Sequence, residues 1–315
     1  MNMKTKAACR SKGGCDLLFR GITLLCALIV AALMTGIFVE LVRNSRLSLE
    51  KFGLSFLTST AWNPVTGDFG AASSIFGTVL SSLIAMAVAL PLGLAAALFL
   101  VEIAPPRAAR VVGGAIELLA AVPSIIYGMW GLFVFAPFMA GHVQPFLGRA
   151  FGFLPFFKGP PMGIGMLTSG LILALMILPF ITAVACDVLR MVPPVLKEST
   201  YGLGSTTWEA TRHVSFRYGQ KGIAGASFLG LSRALGETMA VTFVIGNDHE
   251  ISPSLFAAGN SIASTLANEF TEASEPLYLS ALVELGLVLF LITVFIQAAA
   301  QLWLKRLGKA GEVAR

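Results

Sequence analysis

Long apolar runs separated by short polar connectors make up most of this chain. The runs fall at about 21–39, 75–101, 111–137, 163–185, 223–245 and 277–304, and each carries few charges. A helix rises about 1.5 Å per residue, so runs of roughly 20 residues cross the ~30 Å hydrocarbon core of a bilayer. The pattern predicts an all-α polytopic membrane protein with six transmembrane helices. Ten-residue stretches of alternating polarity, the mark of a membrane β-barrel, are absent from the sequence.

Composition agrees, because 56% of the residues are hydrophobic and 12% charged, against about 25% charged in soluble domains. Lipid is the expected solvent. The first run exceeds the ~7–15 residues of a signal-peptide core and reads as an uncleaved span. Residues 1–72 then comprise a tail, that span and a first external segment. Residues 73–304 form a core of five spans, and 305–315 a second tail. The polar segments 45–74 and 247–276 are predicted to form short helices or turns on the outer surface.

The net charge of +5 forms no basic stripe that would track nucleic acid. It flanks the spans instead. With six spans, sixteen Lys and Arg fall on the side of the termini and five on the other. The positive-inside rule therefore places both termini in the cytoplasm. Four cysteines, Cys9, Cys15, Cys26 and Cys186, lack CxxC spacing, and His142, His213 and His249 fall in separate segments. Neither a disulfide framework, a metal site nor a catalytic cluster is expected. Kinks are expected at Pro91, Pro123 and Pro179, since proline removes a backbone hydrogen bond.

Two segments carry chemistry. The first is the connector 190–222, far longer than the ~2–8 residues that join packed helices. After Pro193-Pro194 it reads as two short amphipathic helices hinged at glycine. It resembles the cytoplasmic loop of permeases in binding-protein-dependent ABC importers, whose pattern is E-A-A, three residues, G, nine residues, I-x-L-P. Glu198, Ser199 and Thr200 stand for E-A-A and Gly204 for the glycine, while Val214 stands for Ile and Phe216-Arg217 replace Leu-Pro. The resemblance implies a coupling helix seated in a groove of a separate ATPase. No G-x-x-x-x-G-K-[ST] occurs here, so ATP and magnesium are expected on that partner and no cofactor on this chain.

The second segment lies in the fifth run, where Arg233 and Glu237 stand four residues apart. On a continuous helix they share a face and can pair, which offsets the roughly 2.5–3.5 kcal/mol per charge of placing them mid-bilayer. Arg233-Ala-Leu-Gly-Glu-Thr-Met-Ala-Val241 closely resembles PstC-type permeases of bacterial phosphate importers, as do 123–133 and 259–270. That family likeness implies a type I ABC importer permease fold in the inner membrane. It also implies Arg233 and Glu237 in the phosphate path, a second related permease, two ATPase copies and a periplasmic phosphate-binding protein. A guanidinium suits an anion through its planar paired donors. Alternatives remain at this stage: a structural pair stapling the bundle, a permease for molybdate, sulfate or phosphonate, or an ion-driven transporter using Glu237 as a proton site. Glu117 and Glu284, also in runs, lack a neighbouring basic residue and read as polar contacts between helices.

Overall fold

A computed structural model describes the backbone of residues 5–312 and the side chains of residues 16–305. The Cys9 and Cys15 side chains and the extremities of both tails lie outside the described residues. The chain opens with α1 (Thr5–Asn44), then α2 (Arg46–Phe52), α3 (Ser55–Thr58) and a hairpin of β1 (Trp62–Asn63) with β2 (Asp68–Phe69). Next come α4 (Ala72–Leu98), α5 (Pro106–Ala120), α6 (Ser124–Trp130), α7 (Ala136–Phe138), α8 (Gln144–Phe151) and α9 (Met166–Arg190). The remainder comprises α10 (Pro194–Gly202), α11 (Thr207–Ala210), α12 (Phe216–Leu235), α13 (Met239–Thr242), α14 (Ile262–Glu269) and α15 (Pro276–Glu312).

Five helical stretches among the described residues are long and apolar enough to span a membrane: Asp16–Asn44, Ala72–Ile103, Ser124–Phe151, Met166–Arg190 and Pro276–Lys305. Four coincide with runs read from sequence. The third run is displaced, because it straddles a break at residues 121–123. Pro123 has no N–H to continue a helix and restricts Val122 to extended backbone, so α5 stops and α6 starts afresh. Apolarity continues across the break because α5 is amphipathic and packs on α9, which hides it from a hydropathy reading. Pro91 and Pro179, by contrast, sit inside unbroken helices.

The fifth run is not a single span. Leu235 ends α12, residues 236–238 are non-helical, and α13 adds only four residues. The fifth helix of the sequence reading is thus split. Its first part begins early: α11, a π turn at Thr211–Ser215 and α12 run on from Thr207 to Leu235. Where the family pattern has Leu-Pro, Phe216-Arg217 carry no proline, so nothing interrupts this rod.

The core forms where α4 lies along α9. Ile172, Leu173, Ile177 and Ile181 are fully buried against Ala85 and Ala89. Small residues permit the close approach, as expected where lipid supplies no hydrophobic drive between helices. A Cβ on Gly170 would sit 2.6 Å from Ile84. Two hydroxyls in this interface turn back on their own helices, Ser81 to the Gly77 carbonyl at 2.7 Å and Thr182 to Leu178 at 2.8 Å, whereas the Ser82 hydroxyl of α4 is buried without a partner among the described residues. A second core, around Phe56, Phe69, Ile262, Leu282 and Leu285, closes the end that carries α2, the hairpin and α14. None of the most apolar stretch of α1 is buried; α1 packs on α15 and otherwise presents side chains suited to lipid.

Candidate functional site

The two helix breaks lie together. Gly128 of α6 abuts α13 so closely that a Cβ would sit 2.7 Å from Phe243 and 3.1 Å from the Met239 carbonyl, and Gly131 faces Val244. Tyr127, one turn beyond Pro123, donates its hydroxyl to the Leu119 carbonyl at 2.8 Å across the first break. It is also near enough for the Arg233 charge to act on its phenol. Irregular backbone at membrane depth persists only where protein buries it or where it lines a water-filled path. Two breaks side by side, with a guanidinium at their junction, are such a place.

Arg233 stands on the last turn of α12 and is exposed. Its expected pairing with Glu237 does not form: among the described residues no carboxylate lies within 4 Å of it. The i,i+4 argument assumed a continuous helix, and Gly236, a poor helix former, ends that helix between them. Glu237 is half-buried and its Oε1 accepts from the Ala240 N–H at 3.3 Å. A carboxylate there meets the unsatisfied donors and positive dipole end of the restarting helix. The arrangement therefore offers an anion up to five donors with no competing carboxylate in contact.

At one end of the bundle, α10 begins with Pro193-Pro194, proline at the first helical position supplying the required φ. Ser199 and Thr200 donate to the Val195 and Leu196 carbonyls at 2.7 and 2.8 Å, and Glu198 is exposed. Gly204 adopts φ +84°, where a Cβ would meet nothing, so left-handed backbone and not crowding explains the glycine. Thr206 then caps α11 in a capping box with Glu209 (2.8 and 3.3 Å). Bonds from the Thr206 N–H at 2.8 Å and the Thr206 hydroxyl at 2.9 Å hold the Glu209 carboxyl below its usual range. Leu203 is 88% and Trp208 66% exposed, and Val195 and Leu196 of α10 are exposed with them, an apolar surface along the connector.

Two constellations escaped the sequence reading. Lys197 Nζ of α10 meets Glu102 Oε1 at 2.7 Å, 95 positions away. At the opposite end, Glu269 Oε2 accepts from Trp62 Nε1 at 2.6 Å and the Tyr278 hydroxyl at 2.7 Å, while its Oε1 faces His249 Nε2 at 3.2 Å. Asn260 Nδ2 donates to His249 Nδ1 at 2.8 Å, which leaves Nε2 to carry the hydrogen toward Glu269. Burial pushes the Glu269 carboxyl up, but the bonds from His249, Tyr278 and Trp62 outweigh it and hold the group below the usual carboxylate range. No spacing rule links residues so far apart. Glu269 stood inside a string singled out for its family resemblance, without a chemical role.

This bundle has the fold of an ABC transporter permease. It is similar to a chain of the MetNI methionine ABC transporter, solved in inward-facing conformations, with a TM-score of 0.51 at 16% identity over 75% of this chain and 93% of that one. A second crystal form of that transporter gives 0.51 at 17% identity. No family model matches the chain. It belongs nevertheless to the family of phosphate transport system permease proteins PstC. It is 54% identical to that protein of Mesorhizobium japonicum over 93% of this chain and 90% of the relative. For Pasteurella multocida the identity is 51% over 93% of each. PstC 1 of Mycobacterium tuberculosis is 38% identical over 82% of this chain.

Proposed function

We propose that this chain is a membrane-spanning permease subunit that passes inorganic phosphate through the bacterial inner membrane into the cytoplasm. The observation that carries the reading is Arg233, out of contact with any carboxylate, at the junction of two broken helices in a chain of the PstC family. Phosphate near neutral pH is a mono- or dianion, and a guanidinium whose donors are not spent on a carboxylate can bind and release it. Glu237 caps α13, so it keeps the break in shape. Energy comes from ATP hydrolysed on a separate subunit docked at α10 and the turn into α11, where Glu198, Leu203 and Trp208 are exposed. The working assembly has a second related permease, two ATPase copies and a periplasmic phosphate-binding protein on the face of the hairpin and α14. Both termini and α10 are cytoplasmic, on the sixteen-to-five asymmetry of basic residues.

The test is uptake of radiolabelled phosphate in cells lacking the native permease and supplied with this chain and its partner subunits. Uptake blocked by ATP depletion and not competed by sulfate or molybdate supports the reading. Uptake that survives ATP depletion and collapses with an uncoupler overturns it.

A further inference from the structure

Among the described residues, the ion pairs formed by Lys and Arg with carboxylates are of two kinds. Arg43–Glu40, Arg46–Glu50 and Arg190–Asp187 join neighbours on one helix at 3.5–3.9 Å, with side chains 58–75% exposed. Such pairs contribute little. Lys197–Glu102 is short at 2.7 Å, spans two elements, and has side chains only 19% and 7% exposed. A pair this desolvated gives little net stability, yet it fixes the geometry of whatever it joins.

What it joins is α10 and the end of α4. Glu102 lies in a π turn, Phe99–Ile103, that continues α4 and packs on α5 and α9; π turns inside helices gather at functional sites. The same carboxylate borders a cavity of about 520 Å³ with Leu98, Ile103, Trp208 and Thr211, the last from the π turn that precedes α12. On its own chain, α10 is held at the Pro193 junction and at the left-handed Gly204 turn, which leaves open space where a Cβ would stand. It also packs on α11 and the turn that follows. Through that packing α10 bears on the α11–α12 rod and only indirectly on α4. With the ion pair, α10 is fixed to the helix that lines the core against α9.

We propose that the Lys197–Glu102 pair is the strut that passes motion of α10 to α4, so that the two move as one body when the ATPase pulls. Both are positioning residues for transport and touch neither phosphate nor nucleotide. The inference rests on α10 being the ATPase docking helix.

The experiment uses the full complex in proteoliposomes and reads phosphate carried per ATP hydrolysed, with permease abundance measured alongside. K197M and E102Q are expected to lower that ratio about tenfold, within the 5–150-fold span of energetic coupling between sites, while hydrolysis continues. K197R and the exchanged pair K197E/E102K are expected to restore it. Should the single variants fold poorly, K197M/E102M buries no lone charge, and it is expected to be abundant yet uncoupled. A normal ratio in K197M/E102M, or uptake and hydrolysis falling in parallel in the single variants, overturns the strut. In a background without native cysteines, E198C is crosslinked to the ATPase as a control. No crosslink would remove the docking reading and the strut with it, whereas a crosslink with an unchanged ratio removes the strut alone.

Discussion

Arg233 and Glu237, four residues apart, lie on either side of a helix end, the first on the last turn of α12 and the second bonded to the Ala240 N–H of α13. The relationship separates their roles. Replacing Arg233 by Ala removes an anion donor without stranding a buried carboxylate, so the protein should remain abundant while phosphate uptake falls about tenfold to a hundredfold, the worth of a charge-assisted contact. Glu237→Gln keeps an oxygen for the Ala240 amide and should be mild. Glu237→Ala should cost about 1 kcal/mol through loss of a helix-end contact. The double variant R233A/E237A should not recover uptake, since no ion pair existed to relieve. Membrane abundance and radiolabelled uptake of the four proteins check this, and recovery in the double variant would return the two residues to a purely structural pair.

The extent to which the sequence spoke for the structure follows from the range of each interaction. Four spans were legible because hydropathy averages over twenty residues, and the hinge was legible because Glu198 and Gly204 sit in a short local pattern. Breaks were not legible, since residues 121–123 and 236–238 scarcely change a window average although they redirect the backbone. The Arg233–Glu237 pairing failed for the same reason: spacing implies contact only if the helix between is intact. Lys197–Glu102 and Glu269–Trp62 join positions 95 and 207 apart. No local pattern encodes such contacts.

Gly204 offers a graded test of the α10 hinge. Alanine at φ +84° strains the backbone by about 1–2 kcal/mol but meets no neighbour, so Gly204→Ala should reduce transport modestly. Proline requires φ near −65° and removes the amide that donates to the Tyr201 carbonyl at 2.9 Å. Gly204→Pro should therefore insert normally and abolish uptake, with weakened ATPase binding in pull-down. Normal uptake in the proline variant would remove this turn from the mechanism.

Orientation is testable with single cysteines in a cysteine-free background. Ser205, beside the Gly204 turn, and Ser274, exposed before α15, lie in the connectors at opposite ends of the bundle. With α10 in the cytoplasm, an impermeant maleimide should label S274C in intact cells and S205C only after permeabilisation. The reverse pattern would invert the topology.

At the end opposite α10, Glu269 ties the β1 hairpin, through Trp62, to α15, through Tyr278, and His249 stacks on Trp62 with ring centroids 5.3 Å apart. Because the folded carboxyl titrates below its ordinary range, the stability it contributes is complete above the usual glutamate value of about 4.3 and is lost as pH falls through the folded value. Acid should thus loosen this end first. Replacing Glu269 by Ala leaves the Trp62, Tyr278 and His249 donors without their acceptor, at about 1–3 kcal/mol for each donor that stays buried. Hydrogen exchange of the detergent-solubilised protein should show residues 59–70 and 247–275 opening earlier in the variant at neutral pH, with the α4–α9 core unaffected. Lowering the pH from 6 to 3 should accelerate exchange there in the parent protein and change less in E269A, because this carboxyl is gone. Equal acid sensitivity in the two proteins would mean that another group governs this end of the molecule.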